Sequence, residues 1–378
     1  MKLVPKKMLA MLGGGQLGRY FVMAAHKMGY KVTVLDPDPE SPAGRIADIH
    51  LNYAYDNKEA LDKIIQTCEA VSTEFENIPA ESLDYLNKKI QVHPNANAVK
   101  IVQNRIREKT FLRENAIPVG LFYVIQSIED FNEISQECFP GILKIAEFGY
   151  DGKGQKRVDD IEGALKAFAE FNHKPCVLEK QIQLDKEVSV ILARSVDGEI
   201  KTHPVAENIH VNGILDITIA PANIDHLTKK NVTDLAKMIA LKLNYIGVMA
   251  VEFFISGKQI FVNEIAPRPH NSGHYTIDAC YSSQFDQQVR ALVEMPLGNP
   301  DQHSNAIMIN LLGDVWEEPN LHEPNWESIL KEPNLNLHLY GKEHPRKARK
   351  MGHITFVTNE TLTHDHVVVH LQNIKKRL

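Results

Sequence analysis

Two glutamates carry the strongest chemical signal in this sequence: Glu252 in Val251-Glu252-Phe253-Phe254, and Glu264 in Phe261-Val262-Asn263-Glu264-Ile265. Each sits in an apolar run of strand-forming residues, and Ser256-Gly257 supplies a turn between the runs. A carboxylate among such neighbours is costly to bury alone. If the runs pair as a hairpin, the two acids face one another, and like charges opposed across a sheet are destabilising. A divalent cation between them resolves the conflict. Oxygen ligands beside phosphates favour Mg²⁺, which takes one or two carboxylates and completes its shell elsewhere. Strand alternation sends Asn263 to the opposite face, as a structural residue, or toward the metal if the strand ends there. Two separately solvated acids are the competing account.

Beyond the hairpin, Arg268-Pro269-His270-Asn271-Ser272-Gly273-His274-Tyr275 gathers donors suited to anions near a metal, or forms a polar loop. Before it, Gly149-Tyr150-Asp151-Gly152-Lys153-Gly154-Gln155 follows a strand carrying Lys144. Two amines and a pliable backbone can converge there on a polyphosphate, as a cover over ATP, although an exposed hairpin has the same composition. The P-loop signature is absent. Glu179 ends one strand run and Glu187 starts another, positions suited to an adenine amino group and ribose hydroxyls, or to two solvated strand-end acids.

Gly13, Gly15 and Gly18 satisfy the dinucleotide fingerprint, and Asp36 ends the next strand. A nicotinamide-dependent dehydrogenase is therefore a live reading of the front third. The physical content is broader, because glycines admit close backbone approach and a helix N-terminus attracts any anion. Asp36-Pro37-Asp38-Pro39 can equally be a turn without a ligand.

The elements that position these residues follow from periodicity. Apolar runs at 8–12, 32–35, 70–73 and 90–93 alternate with helical stretches, the pattern of a mostly parallel sheet. A charged helix is expected over 99–114. An α+β unit follows, with strands at 141–145 and 176–180, a helix at 160–171 and an antiparallel meander from 187 to 220. A helix over 225–243 then precedes the acidic hairpin, and a small tail begins after Pro300. The chain of 378 residues has room for two or three domains. A net charge of -6 gives no basic excess for nonspecific nucleic-acid binding. Four scattered cysteines without a CxxC pair argue against a zinc site or a disulfide framework. No apolar run is long enough for export or for a membrane helix, so a cytoplasmic protein is expected.

In order, Lys144, the Gly149–Gln155 loop, Glu179, Glu187, Glu252, Asn263-Glu264 and the Arg268–His274 string resemble the ATP-grasp ligases. With Gly13-Gly14-Gly15-Gln16-Leu17-Gly18-Arg19 in front, and Tyr340-Gly341-Lys342 and Arg349-Lys350-Met351-Gly352-His353 behind, nearly the whole chain is similar to one branch of that family. That branch carboxylates 5-aminoimidazole ribonucleotide in purine biosynthesis. The resemblance implies a mixed α/β and α+β chain in three parts. These are an N-terminal Rossmann-like parallel sheet (1–103), a central ATP-grasp domain (104–298) and a small C-terminal β-rich domain (299–378), assembled as a homodimer.

It implies ATP and two Mg²⁺ ions, with neither nicotinamide nor biotin, and 5-aminoimidazole ribonucleotide, bicarbonate and MgATP as substrates. Neither nucleic acid nor membrane is an expected partner. By the same resemblance, Arg105, Lys144, Gly149, Tyr150, Gly152, Gly154, Gln155, Glu179, Lys180, Gln181, Ile182, Glu187, His210, Asn263 and Glu264 hold the nucleotide, and Glu252 and Glu264 hold metal. Asp151, Lys153 and Arg268 are the catalytic candidates, Asp151 for a proton near the attacking amine. Gln16, Leu17, Glu74, Asn271, Ser272, Lys342, Arg349 and Lys350 bind the ribonucleotide. Lys100, Arg107 and Lys109 crowd the segment of Arg105. Ile145-Ala146-Glu147-Phe148 departs from the family, which usually has a Thr-Arg pair and a further glycine there, so a donor at the base of the loop is lost or moved. Another ATP-grasp carboxylase or formyl-transferring ligase of purine metabolism is the nearest alternative. A noncatalytic nucleotide-binding regulator would leave the metal and loop residues without a task.

Overall fold

The computed structural model describes residues 2–147, 154–316, 323–360 and 362. The N-terminal strands are β1 (Met8–Leu12), β2 (Lys31–Leu35), β3 (Ile49–Leu51), β4 (Ala70–Thr73) and β5 (Gln91–Val92). They form a parallel sheet in the order β3-β2-β1-β4-β5. Their runs are apolar on both faces because helices cover both sides, which parallel sheets require. Helix α1 (Gln16–Lys27) packs Tyr20, Phe21, Ala24 and Ala25 on one face, while α2 (Lys58–Thr67) and α3 (Ala80–Asn87) supply Leu61, Ile64, Leu83 and Leu86 to the other.

The helix expected over 99–114 is two helices, α4 (Ala96–Val102) and α5 (Arg105–Glu114). Asn104 breaks it: its side chain accepts from the N–H groups of Ile106 and Arg107 at 2.9 and 3.1 Å. That cap satisfies donors which a continuous helix would have bonded internally. The break turns α5 toward the centre of the molecule.

A four-stranded antiparallel sheet follows, ordered β6-β9-β7-β8, from β6 (Phe122–Ile125), β7 (Gly141–Ile145), β8 (Gln155–Val158) and β9 (Cys176–Lys180). Helix α6 (Ile161–Glu170), capped by Asp160, buries Ala164, Ala167 and Phe168 against it.

The largest sheet has nine strands. They are β10 (Lys186–Arg194), β11 (Ile200–Thr202), β12 (Ala206–Val211), β13 (Ile214–Ala220), β14 (Gly247–Ser256), β15 (Gln259–Ala266), β16 (Asn305–Leu312), β17 (Leu335–Leu339) and β18 (Lys350–Thr358). The main path is β15-β14-β10-β12-β13-β16-β18-β17, with β11 paired to β10 alone. The expected meander is thus interleaved, since β10 pairs with β14 as well as β12. Helix α7 (His226–Lys242), capped by Asp225, lies between and packs Val232, Ala236 and Ile239 into the core under β10 and β14. Hydrogen bonding passes from β13 to β16, so the tail's strands share one sheet with the central unit. Among the described residues no helix is long and apolar enough to cross a membrane.

Candidate active site

The β14–β15 hairpin sets Glu252 directly opposite Glu264. Below them the register shifts, from Glu252↔Glu264 to Phe253↔Val262, leaving Asn263 as the extra residue of a β-bulge. A bulge re-aims side chains. Asn263 therefore does not alternate away as simple strand geometry would have it: its Nδ2 lies 3.5 Å from Glu252 Oε2, and both residues line the same cavity. Burial first, and the Glu264 charge second, hold the Glu252 carboxyl above the usual carboxylate range. Glu252 Oε1 is buried with no hydrogen-bond partner among the described residues. His270 Nδ1 lies 3.8 Å from it, beyond hydrogen-bond distance.

The cavity measures about 840 Å³, large enough for a nucleotide and a second small molecule. Of the residues expected to bind, Gln16, Leu17, Glu74, Arg105, Lys144, Gln155, Glu179, Lys180, Gln181, Ile182, Glu187, His210, Glu252, Asn263, Glu264, Arg268, Asn271 and Lys350 line it. Residues from α1, the loop after β4, α5, the four-stranded sheet, the acidic hairpin and the start of β18 thus meet in one space.

Gly154, Ser272, Lys342 and Arg349 are not in its lining. Ser272 is fully buried, and its hydroxyl is engaged by Ser189 Oγ at 2.8 Å and His270 Nδ1 at 2.9 Å. Lys342 Nζ donates to Gln16 Oε1 at 2.8 Å and to the Lys350 carbonyl at 2.7 Å, tying the tail to α1. Arg349 Nη1 donates to the His344 carbonyl at 2.8 Å. Gly149, Tyr150, Asp151, Gly152 and Lys153 lie outside the described residues. The departure before them has an assigned neighbour: Glu147 Oε1 accepts from Asn104 Nδ2 at 2.8 Å and Arg107 Nη2 at 3.1 Å, at the start of α5.

Charge is arranged in pairs. Glu179 Oε1 lies 3.0 Å from Lys144 Nζ and its Oε2 lies 3.2 Å from Lys109 Nζ. Burial opposes its ionisation, but the two ammonium groups outweigh burial and bring its pKa down to about 2. A depressed acid stabilises the fold fully above the ordinary glutamate range and loses that contribution as pH falls from there to about 2. Glu179→Gln is therefore expected to cost about 3–5 kcal/mol at pH 7, and the cost should shrink steadily across that acid window in urea unfolding curves. A pH-independent difference would refute the pairing.

Arg268 Nε donates to Glu76 Oε2 at 2.5 Å in a partly buried pair. His210 Nδ1 lies 2.6 Å from Glu187 Oε2; burial disfavours the imidazolium, yet the neighbouring acids raise its pKa overall. Burial, with Arg268 and Lys350 nearby, keeps His270 neutral. Sequence reasoning missed Glu76, Arg157, Asn212 and Gly213 in the lining, and named Lys109 only as a neighbour of Arg105. Spacing offered two signals: Glu76 stands two residues after Glu74, and Lys109 stands one helical turn after Arg105.

The glycine turn is occupied by the protein's own acids. The Gly18 N–H donates to Glu74 Oε2 at 2.7 Å and the Gly14 N–H to Asp36 Oδ2 at 2.6 Å. A Cβ on Gly15 would fall 2.1 Å from Glu74 Oε1, so glycine is required there for the carboxylate to approach. Asp36 also accepts from Tyr55 Oη at 2.7 Å and from the Asp38 N–H at 2.8 Å. The acid of the dinucleotide reading, Asp36, is thereby engaged within the fold, and Glu74 takes the Gly18 N–H at the helix start. Burial raises the Glu74 carboxyl to about 7 against the Gly18 N–H, with Asp36 adding to the rise.

Asp278, His338 and His353 offer metal-type ligand atoms within 4.8 Å of one another. His338 already bonds Asp278 at 2.9 Å and stacks on His353 with ring centroids 4.4 Å apart and planes 12° apart. Parallel rings point their in-plane lone pairs in parallel planes, a packed hydrogen-bonded stack and not a converging donor set.

The comparisons with known proteins agree with this geometry. Residues 110–285 match the ATP-grasp domain family, which gives the class of the protein: an ATP-grasp fold. Residues 6–103 match the ribonucleotide synthetase preATP-grasp domain, and residues 306–366 the phosphoribosylaminoimidazole carboxylase C-terminal domain. The chain is 40% identical over 355 residues to the N5-carboxyaminoimidazole ribonucleotide synthase of Bacillus subtilis strain 168, covering 93% of this chain and 92% of the relative. With the same enzyme of Brucella melitensis it shares 39% over 364 residues, 95% and 99% of the two chains. The Staphylococcus aureus N5-carboxyaminoimidazole synthetase complexed with ADP superposes with a TM-score of 0.90 at 36% identity, over 100% of this chain and 98% of the other. The Aspergillus clavatus synthase in complex with ADP and 5-aminoimidazole ribonucleotide gives 0.89 at 30%, over 98% of each. The chain belongs to the N5-carboxyaminoimidazole ribonucleotide synthase family.

Proposed function

We propose that this protein, an ATP-dependent carbon–nitrogen ligase of purine biosynthesis, converts 5-aminoimidazole ribonucleotide, bicarbonate and ATP into N5-carboxyaminoimidazole ribonucleotide, ADP and phosphate, with the residues above in the following roles. Bicarbonate is a poor electrophile, because its carbon sits in an electron-rich anion. Transfer of the γ-phosphoryl group to a bicarbonate oxygen breaks the bond to ADP and gives carboxyphosphate. The substrate amine then takes up that carbon, directly or as released CO₂, and phosphate leaves. The protein's part is to position reactants and stabilise charge.

The observation that carries this reading is the opposition of Glu252 and Glu264 beside a ring of cations. A buried carboxylate oxygen without a hydrogen-bond partner, facing a second carboxylate with Asn263 alongside, is a donor set suited to Mg²⁺. Bound there, Mg²⁺ would neutralise charge on the triphosphate. Lys144 and Arg105 would face the phosphates, and the segment from Lys180 to Ile182, after the strand end at Glu179, would receive the base. Glu187 and His210 would receive the ribose. Arg268, fixed by Glu76, would hold the oxygens of the transferring phosphoryl group and of carboxyphosphate. Asp151 and Lys153 keep the proton-handling and phosphate-binding roles that family resemblance implies. Gln16, Leu17, Glu74 and Asn271 would hold the aminoimidazole ribonucleotide, and Lys350, with Lys342 and Arg349 behind it, would face its phosphate.

The deciding experiment is phosphate release from MgATP and bicarbonate, with and without 5-aminoimidazole ribonucleotide. Release that rises with the ribonucleotide, and consumption of the amine in step with it, is expected. Release indifferent to that amine but stimulated by another purine precursor would assign the chain to a different ligase. A homodimer in the cytoplasm completes the proposal. Four buried cysteines, all free thiols, suit a reducing compartment, and light scattering that read a single-chain mass would overturn the dimer.

A further inference from the structure

We propose that Glu108 and Lys109, neighbours on α5, are a positioning pair that fixes the backbone on both sides of Glu264 and couples it to Glu179. This deepens the reading above, since it rests on Glu264 as a ligand of the metal–nucleotide complex. Strand β15 is the edge of the nine-stranded sheet, so its outer backbone groups have no ladder partner there. At Val262 the edge is covered by main chain: the Val262 N–H donates to the Pro118 carbonyl at 2.8 Å, and Val119 forms an isolated bridge with Val262. Beyond that point side chains take over. Lys109 Nζ donates to the Asn263 carbonyl at 3.0 Å, and the Ile265 N–H donates to Glu108 Oε1 at 2.7 Å.

Glu264 is the residue between those two contacts. Both side chains are 1% exposed, so neither contact competes with water. The bulge makes such a grip necessary, because the extra residue interrupts the ladder where the metal-facing carboxylate must be held. A further strand along this edge would satisfy the same groups but would wall off the cavity from α5. The second contact of Lys109, 3.2 Å to Glu179 Oε2, carries the grip to the end of β9, where the nucleotide base is expected. One helical turn, starting at the Asn104 cap with Arg105 facing the cavity, thereby sets the spacing between the two ends of bound ATP.

Glu108→Ala and Lys109→Met separate this role from plain structural support. Calorimetric titration with a non-hydrolysable ATP analogue, in Mg²⁺ and in EDTA, gives a readout independent of turnover, and thermal unfolding is followed alongside. Glu108→Ala should weaken binding about tenfold in Mg²⁺, as the loss of one buried hydrogen bond implies, and less than about twofold in EDTA. Lys109→Met should weaken both, and by more in Mg²⁺ than in EDTA because its contact to the Asn263 carbonyl is lost too, and Lys109→Arg should recover part of each loss. If either methionine or alanine variant fails to fold, the other with Lys109→Arg decides the matter through the same Mg²⁺-to-EDTA ratio. Variants that unfold at lower temperature while keeping the wild-type ratio would overturn the positioning role alone. A wild-type protein whose analogue binding ignores Mg²⁺ would overturn the metal reading of Glu264 and this inference with it.

Discussion

Glu264→Gln is expected to lower turnover by about a thousandfold or more, in a protein that remains folded and melts no lower than the wild type. The side chain keeps its shape and loses only charge. In the wild type two acids are opposed across one sheet position, and burial together with that opposition lifts the Glu252 carboxyl above its usual range. An acid whose folded pKa is raised costs stability at every pH above its unfolded value. Removing the Glu264 charge relieves part of that cost. The variant should therefore be more stable than the wild type near pH 8, with the difference closing as the pH falls and Glu252 takes up its proton. Phosphate release and thermal unfolding, measured over the same pH range, test both halves. Near-wild-type turnover would remove the metal role, and a large fall in melting temperature would make the pair structural.

Arg268→Met combines a large functional loss with a large structural one. The guanidinium is partly buried against Glu76 at 2.5 Å, and removing it leaves the Glu76 charge only partly compensated by solvent, a cost of about 1–3 kcal/mol. Burial alone would push the Glu76 carboxyl up, but Arg268 holds it below the usual range, so the penalty falls on Glu76 at neutral pH. Turnover should drop by at least about a hundredfold, as expected for loss of a cation facing developing phosphoryl charge. The double variant Glu76→Gln/Arg268→Met separates the effects: melting temperature should recover most of its loss and turnover none. Recovery of turnover in the double variant would show that Arg268 serves only to neutralise Glu76.

How much of this was legible in the sequence depends on whether the signal was local. The hairpin was readable because two apolar runs flank a Ser-Gly turn, and the facing of Glu252 and Glu264 follows from the pairing of those runs. For Asn263 alternation alone left two faces open, because a bulge adds one residue without a marker; the register shift is what turns it to the cavity. The continuous helix over 99–114 was misjudged for a related reason: Asn104 is polar enough to sit inside a charged helix, and only its capping contacts mark it as a start. Ser272 read as a binding residue from its place in a donor-rich string, and its contact with Ser189, on a strand distant in sequence, was not legible there. The roles of Glu76 and Lys109 are illegible for the deeper reason that their partners lie 192 and 154 residues away. The shared sheet of the tail and the central unit is likewise a matter of long-range pairing, which no local pattern encodes.

The carboxylate lodged in the glycine turn bears on how such a scaffold resists capture by the wrong small molecules. A cell keeps a large pool of dinucleotides, and a bare turn of this shape would be open to any of them. Glu74 answers by pre-emption: the Gly18 N–H, one of those that would greet a pyrophosphate, is already engaged by a carboxyl group that cannot diffuse away. A newcomer must either displace a tethered competitor or accept contact with its carboxyl oxygens, and an amine-bearing molecule can do the latter where a diphosphate cannot. A dinucleotide arriving here would first have to break that bond, so a motif whose glycines alone suggest welcome begins by charging entry.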